Sequence, residues 1–371
     1  MRQEFDYFKS RDGLGDLYHE LSRRSCKIAY LGNSITAQKE GYKKYMSDYI
    51  DQAFNQKNSY INAGIGGIGS LATNFLMDDF VLRYRPDICF VECTAADLGA
   101  ATPEEFIPSA VEGIIQKLIT NNVKVCFLHL YREMPDEAKN ERILSLYEKI
   151  VDHYQIPSIN IGRAISFLIK KNEYKNEDIV YDGIHTTPDG AQLYAMYIFS
   201  SFKEILKIEA QEKKDLSYIH NPFIHTRIVT PESSMLEDQK CYIKKKFRGI
   251  INYLQLQEEN LMHYSTQEGI ILGLFIVADE ESGVIMIENQ GKAIKIQTYD
   301  KWCDKERIQA VIFGELIIAS TEVQIGISTS EVAKKGSNGT ENTIKKKGTS
   351  LKVIGLMVVL DNEPEIKSRL W

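Results

Sequence analysis

The chain has 371 residues, with 45 Lys+Arg against 51 Asp+Glu and 43% hydrophobic residues. This length fits two domains, each able to bury its own core, and the balance excludes a collagen, a disordered tail and a disulfide-stapled miniature. A formal net charge of -6 argues against a protein built mainly to hold nucleic acid, and six cysteines without CxxC pairing give neither a disulfide framework nor a zinc site.

Residues 1–25 read as an N-terminal extension. No continuous apolar stretch precedes their charges, so they do not form a signal peptide. No run reaches about 18 apolar residues, so no membrane span and no membrane partner are expected. Cys26, Cys89, Cys93 and Cys126 lie inside apolar runs as small hydrophobes, and a reduced cytoplasmic setting is the expectation.

From 26 to 208 two kinds of segment alternate. CKIAYLG (26–32), YINA (60–63), DICFVEC (87–93), VKVCFLHLY (123–131) and IPSINI (156–161) read as strands. Most are apolar runs, as helices on both faces of a parallel sheet require. Between them, Tyr42, Tyr45, Met46, Tyr49, Ile50 and Phe54 recur at helical steps, as do Val111, Ile114, Ile115, Leu118 and Ile119. A closing helix starts at Pro188 and runs to 206. The pattern predicts a three-layer α/β/α domain.

Residues 209–222, opening with EAQEKKDLS, read as a linker, and 223–371 as a second domain. Short β-rich segments follow at 250–257, 269–278, 283–290, 293–300, 310–319, 323–329 and 351–360, separated by turn signals. With no long amphipathic helix among them, they predict an all-β sandwich. The polar, basic stretch at 334–350 reads as a solvated loop. Trp302 and Trp371 are the only tryptophans, and Trp302 serves either as a sugar-stacking platform or as a cap on the β core.

Three segments of the first domain sit where parallel strands end, the place where open α/β sheets bind ligands. In LGNSIT (31–36), Ser34 stands at a strand-to-helix junction, where a serine acts as a helix cap or as a nucleophile. NAGIGGIGS (62–70) contains a literal G-x-G-x-x-G at Gly64, Gly66 and Gly69. The acidic residue of a dinucleotide fingerprint is misplaced, because Asp87 opens the next strand instead of ending it. Bare N–H groups facing an anionic centre fit this loop without a cofactor. In YDGIHTTPDG (181–190), Asp182 and His185 are spaced so that a carboxylate can orient an imidazole toward a hydroxyl. Each segment alone is weak; together they supply the parts of a serine hydrolase.

These blocks resemble the SGNH/GDSL hydrolases, a superfamily of serine esterases and acylhydrolases, over residues 27 to about 203. The resemblance implies a flavodoxin-like fold with a five-stranded parallel sheet between helices. It places the nucleophile on Ser34, with Asn33 where aspartate is usual, and the catalytic Asp and His on Asp182 and His185. It also makes the Ser34 and Gly67 backbone N–H groups the oxyanion donors. RPDICFVECTAADLG (85–99) resembles the third block but departs from it. Ala96 stands where an asparagine amide normally donates to the oxyanion, a loss that typically costs about 100–1000-fold in turnover. Thr94 offers a nearby hydroxyl as a partial substitute. The second domain is similar, more weakly, to accessory domains beside carbohydrate esterases.

Glu92, an acid inside an apolar strand, must find partners or stay protonated, and is read as ordering the crevice. Glu133 is read first as an exposed surface residue and alternatively as lining the entrance, with Asn33 and Thr94 as the other pocket candidates. No metal and no cofactor are expected, since the seven histidines include no HExxH. The expected partner is an acylated carbohydrate or another small ester, from which the enzyme removes acetyl or a short acyl group. The alternative is a catalytically weak or silent carbohydrate-binding or scaffold protein on the same fold. Transfer of the acyl group to a sugar is a third, smaller option, and the sequence leaves the oligomeric state open.

Overall fold

The computed structural model describes residues 6–133, 136–209, 221–230, 243–257, 261–265, 269–300, 302–318, 322–327 and 350–360. All but the last residue of the loop read at 334–350, most of the linker read at 209–222, and Trp371 lie outside the described residues. The chain divides into two units, Met1–Ile224 and His225–Trp371.

The first unit begins with β1 (Phe8–Lys9), α1 (Gly15–Arg23), β2 (Lys27–Gly32), α2 (Ser34–Ala37) and α3 (Tyr42–Phe54). It continues through β3 (Ser59–Gly64), α4 (Ser70–Phe80), β4 (Ile88–Glu92), α5 (Thr94–Leu98) and α6 (Ile107–Thr120). Then come β5 (Lys124–His129), α7 (Glu137–His153), β6 (Ser158–Asn160), α8 (Ile161–Lys170), α9 (Asn176–Ile179) and α10 (Pro188–Ile205). The sheet order is β1-β6-β5-β4-β2-β3. The five strands read from the sequence are its parallel members.

The sheet gains a sixth, antiparallel strand from the segment read as an extension: Phe8 pairs with Ile159 and Lys9 with Ser158. Two residues are too few to show a strand period. What holds the segment is burial of Tyr7, Leu14, Leu17 and Leu21 in the domain core. Gly13 permits the approach: its φ is +64°, and a Cβ there would sit 2.3 Å from the Ile208 carbonyl oxygen.

The apolar runs became strands because both faces are covered. Every residue of β4 is buried, and β2 is exposed only at Lys27. On one side Tyr30, Phe90 and Leu128 pack with Tyr42, Met46 and Ile50 of α3 and with Tyr194, Ile198 and Phe202 of α10. Register decides where chemistry can occur. Gly32 lies opposite both Gly64 and Glu92, so β2, β3 and β4 end at one level. The three loops that follow share one edge.

The second unit consists of β7 (Thr226–Val229), β8 (Ile243–Phe247), β9 (Ile251–Gln257), β10 (Leu261–Ser265), β11 (Ile270–Ala278), β12 (Val284–Asn289), β13 (Lys292–Gln297), β14 (Arg307–Ile318), β15 (Glu322–Ile327) and β16 (Ser350–Val359). One sheet runs β10-β15-β12-β13; the other runs β14-β11-β16-β9-β8, with β7 also on β16. All the strand pairings are antiparallel. Met262, Ile285, Ile287 and Ile325 from the first sheet share one core with Leu256, Leu274, Ile276 and Val353 from the second. That is a sandwich. Strands β7, β8 and β10 were not legible in the sequence; three consecutive lysines, for example, obscure the apolar alternation of IKKKF.

Candidate active site

Ser34 is the first residue of α2, which is one turn long. Asn33 caps it: its extended backbone lets Oδ1 accept from the Ile35 N–H at 3.0 Å. Ser34 itself is therefore not the cap, and its half-buried side chain stands at the strand-end crevice.

Below this turn lies Glu92, fully buried at the end of β4. Its carboxyl accepts from Asn33 Nδ2 at 2.9 Å, the Asn33 N–H at 3.4 Å, Thr36 Oγ1 at 3.3 Å and the Ala95 N–H at 3.4 Å. Burial pushes its pKa up to about 7, although these donors work against the rise.

The glycine loop turns at Gly67, whose φ of +80° belongs to the left-handed region. At Gly66 a Cβ would lie 3.6 Å from the Ser34 Cβ, so this loop passes directly beside the serine. Among the described residues, neither the Ser34 N–H nor the Gly67 N–H donates a hydrogen bond.

On the third loop Ala96 is half-exposed, whereas Asp97 is buried and turned inward. Asp97 accepts from Ser70 Oγ at 2.6 Å and from the Tyr147 hydroxyl, which fastens α5 to α4 and α7. Burial raises the Asp97 carboxyl above the ordinary range. The Thr94 hydroxyl is engaged elsewhere, with His129 Nδ1 at 2.8 Å. His129 Nε2 in turn meets Glu148 at 3.0 Å. Burial works against the Glu148 charge, but His129, Lys9 and Arg11 hold its carboxyl well below the usual range.

The fourth loop carries Asp182 and His185. The Asp182 carboxylate meets His185 Nδ1 at 2.7 Å and accepts the His185 and Ile184 backbone N–H groups at 2.8 and 3.1 Å. Partial burial works against the charge; the ring and backbone bonds outweigh it and keep the carboxyl below its ordinary value. Tyr181 stacks on the imidazole at 5.9 Å between centroids.

Gln38 joins this loop to the serine helix. Its side-chain oxygen accepts from the Thr186 N–H and Oγ1, each at 3.1 Å, and its Nε2 donates to the Thr186 carbonyl at 3.2 Å. The helix that Ser34 opens and Gln38 closes is thus tethered to the residue after His185, though among the described residues no hydrogen bond links the Ser34 and His185 side chains. Glu133 is exposed. Its N–H donates to the Gly183 carbonyl at 2.8 Å, and its side chain lies where a Cβ on Gly183 would come within 3.0 Å. A cavity of about 670 Å³ is lined by Thr94, Arg132, Glu133, Asn160 and Arg163 among others; Ser34, Gly67, Asp182 and His185 do not line it.

Residues 30–193 match the GDSL-like Lipase/Acylhydrolase family. The first unit contains an SGNH/GDSL hydrolase domain. Ser34, Gly67, Ala96, Asp182 and His185 all fall within the matched span of that GDSL domain. Among solved structures, a two-domain esterase (CEX) active on acetylated mannans is similar over 96% of this chain and 99% of its own, at 16% identity and a TM-score of 0.71. The same esterase co-crystallised with mannopentaose gives 95% and 97% coverage, 16% identity and a TM-score of 0.68. The acetyl xylan esterase AlAXEase is similar over 47% of this chain and 98% of its own, at 21% identity and a TM-score of 0.43. No curated protein matches the chain. The likeness to CEX is one of fold, and it extends from the GDSL domain through the β sandwich.

Sequence reasoning missed Gln38, Arg132 and His129. Arg132 donates to the Ala95 carbonyl at 2.9 Å and feels the charge of Asp182. A polar residue one turn after a candidate nucleophile was the available signal for Gln38. For Arg132 and His129 the linear sequence carries none. No helix among the described residues is long and apolar enough to cross a membrane.

Proposed function

We propose that the protein is a serine esterase that removes acetyl or another short acyl group from a carbohydrate. The observation that carries this reading is the Asp182–His185 pair, held at 2.7 Å and tethered through Thr186 and Gln38 to the helix that starts at Ser34. With Nδ1–H directed at a carboxylate, the imidazole presents Nε2 as the base. His185 takes the Ser34 proton as Oγ attacks the ester carbonyl. The Ser34 and Gly67 N–H groups receive the oxyanion. The proton then passes to the leaving alcohol, and water activated by His185 releases the acid from the acyl-serine.

The cavity beside Glu133, Arg132 and Arg163 is of the size that small ligands occupy, and its polar lining suits the hydroxyls of a sugar. The fold-level likeness to an esterase active on acetylated mannans supports acetylated carbohydrate as the substrate class. A reducing, cytoplasmic setting fits the five described cysteines, all free and buried.

The test is release of acetate from p-nitrophenyl acetate and from acetylated manno- and xylo-oligosaccharides, by the native protein and by Ser34→Ala. Loss of release in the variant is expected; equal rates would refute the mechanism. The second reading, a silent carbohydrate-binding relative, is favoured by one feature, the methyl group of Ala96 where the family's amide donor stands. Glycan binding without turnover, unchanged in Ser34→Ala, would support that reading instead.

A further inference from the structure

Glu92 takes no part in the proton relay, yet it is the fully buried acid closest to the serine turn. Among the described residues, four donors converge on it and no cation pairs with it. Asn33 and Thr36 come from the serine turn, and Ala95 comes from the oxyanion-side turn. One carboxyl group therefore joins two of the loops between which a tetrahedral oxygen would sit. The Asn33 amide orientation is fixed by both its contacts. Oδ1 must accept from the Ile35 N–H, and Nδ2 must donate to the carboxylate. An aspartate at 33 would instead set two carboxylates against each other, so Asn33 and Glu92 are chemically coupled.

We propose that Glu92, acting as a carboxylate, is the positioning residue that holds the Ser34 turn and the Ala95–Ala96 turn in register for catalysis. The inference rests on the esterase reading and deepens it. A proton on Glu92 removes the charge that strengthens all four bonds, and of the groups it faces only the Thr36 hydroxyl can accept an O–H. The ties between the loops are then weakened. The titratable groups that feel the Glu92 charge are Tyr42 on α3, Tyr194 on α10 and Cys93 next to it in the chain. Burial raises all three well above their ordinary values, so they stay neutral and do not titrate in its place. Thr36, one of the four donors, is itself paired with the Tyr42 hydroxyl at 3.0 Å. Because Glu92 titrates near neutrality, activity that depends on its charge falls as pH drops through that range.

The experiment compares wild type, Glu92→Gln, Asn33→Asp and the double variant Asn33→Asp/Glu92→Gln on p-nitrophenyl acetate across pH. Each single variant is expected to lower kcat by about tenfold or more with KM little changed, because a small displacement of reacting groups is costly while ground-state binding is not. The double variant, which exchanges amide and carboxylate, is expected to recover most of that loss. The acid limb of the wild-type profile should include the protonation of Glu92, and Glu92→Gln should lose that contribution and show a shallower limb.

Losses in the two single variants that simply add in the double variant, or a Glu92→Gln profile identical to wild type, would overturn the inference. If the single variants do not fold, infrared titration of the buried carboxyl in wild type, run beside Ser34 labelling by a fluorophosphonate, decides the matter. Labelling should slow as that carboxyl protonates; labelling that follows a different titration overturns the claim. Equal hydrolysis by wild type and Ser34→Ala removes the esterase reading and this inference together. Ser34-dependent hydrolysis that the Glu92 variants leave untouched removes this inference alone.

Discussion

Replacing Glu92 by glutamine should change how the stability of the first unit depends on pH, with a sign and size set by burial. The carboxyl is raised from 4.5 to about 7, so the folded chain holds this proton more tightly than the unfolded chain does. The stabilisation from that tighter hold is complete below the unfolded value and is lost as pH rises through about 7. The gap between 4.5 and about 7, at about 1.4 kcal/mol per pH unit, corresponds to about 3 kcal/mol. Glutamine has no proton to lose. The stability of Glu92→Gln relative to wild type should therefore climb by about 3 kcal/mol between roughly pH 4 and pH 8.5. Any fixed cost of fitting the amide cancels in that difference.

Urea unfolding followed by helical circular dichroism reports the first unit, because all the described helices lie there. A relative stability that stays flat to within about 0.5 kcal/mol over this range would refute the burial argument. The same variant is expected to be slower, so Glu92 illustrates stability given up where function needs a buried charge.

Three further predictions follow from named contacts. Ala96→Asn should raise turnover by about tenfold or less, since an added amide is not fully preorganised. A folded variant with unchanged turnover, its amide about 3 Å from a bound oxyanion mimic, would show that the missing donor does not limit the rate. Gln38→Ala removes three hydrogen bonds to Thr186 and should lower kcat by about 10- to 100-fold with little change in KM; an unchanged kcat would show that the tether does not position His185. In the second unit, Lys352 is paired with Asp279 and lies 2.9 Å from Glu306. Burial works against its charge, but the two acids hold its pKa at about 12. Lys352→Met should cost that unit about 2–3 kcal/mol, seen as a lower midpoint in tryptophan fluorescence; an unmoved midpoint would count against a structural role for the pair.

The five parallel strands were readable because burial on both faces leaves near-continuous apolar runs, and α3, α6 and α10 because their apolar residues recur at helical steps. Ser34, Asp182 and His185 stood out because turn chemistry concentrates at strand ends, where glycine, Asn33 and Pro188 mark boundaries; Gly67 was named only by the resemblance to the SGNH/GDSL hydrolases. What the sequence hid depends on partners far away in the chain. The two residues of β1 become a strand only because β6 offers an edge. Thr94 looked available to an oxyanion until folding brought His129 within 2.8 Å of it. Gln38 gains meaning only when Thr186, 148 residues later, returns to it. Glu92 was legible as an acid in want of partners, and those partners come from two other loops.

The most direct test of the account is the identity and rate of the residue that reacts with a fluorophosphonate, determined by peptide mapping of the labelled protein. The account predicts a single adduct on Ser34, absent in Ser34→Ala and slowed about 1000-fold or more in Asp182→Asn, where His185 loses its orienting carboxylate. An adduct on another residue, or ester hydrolysis that proceeds while Ser34 stays unlabelled, would contradict it.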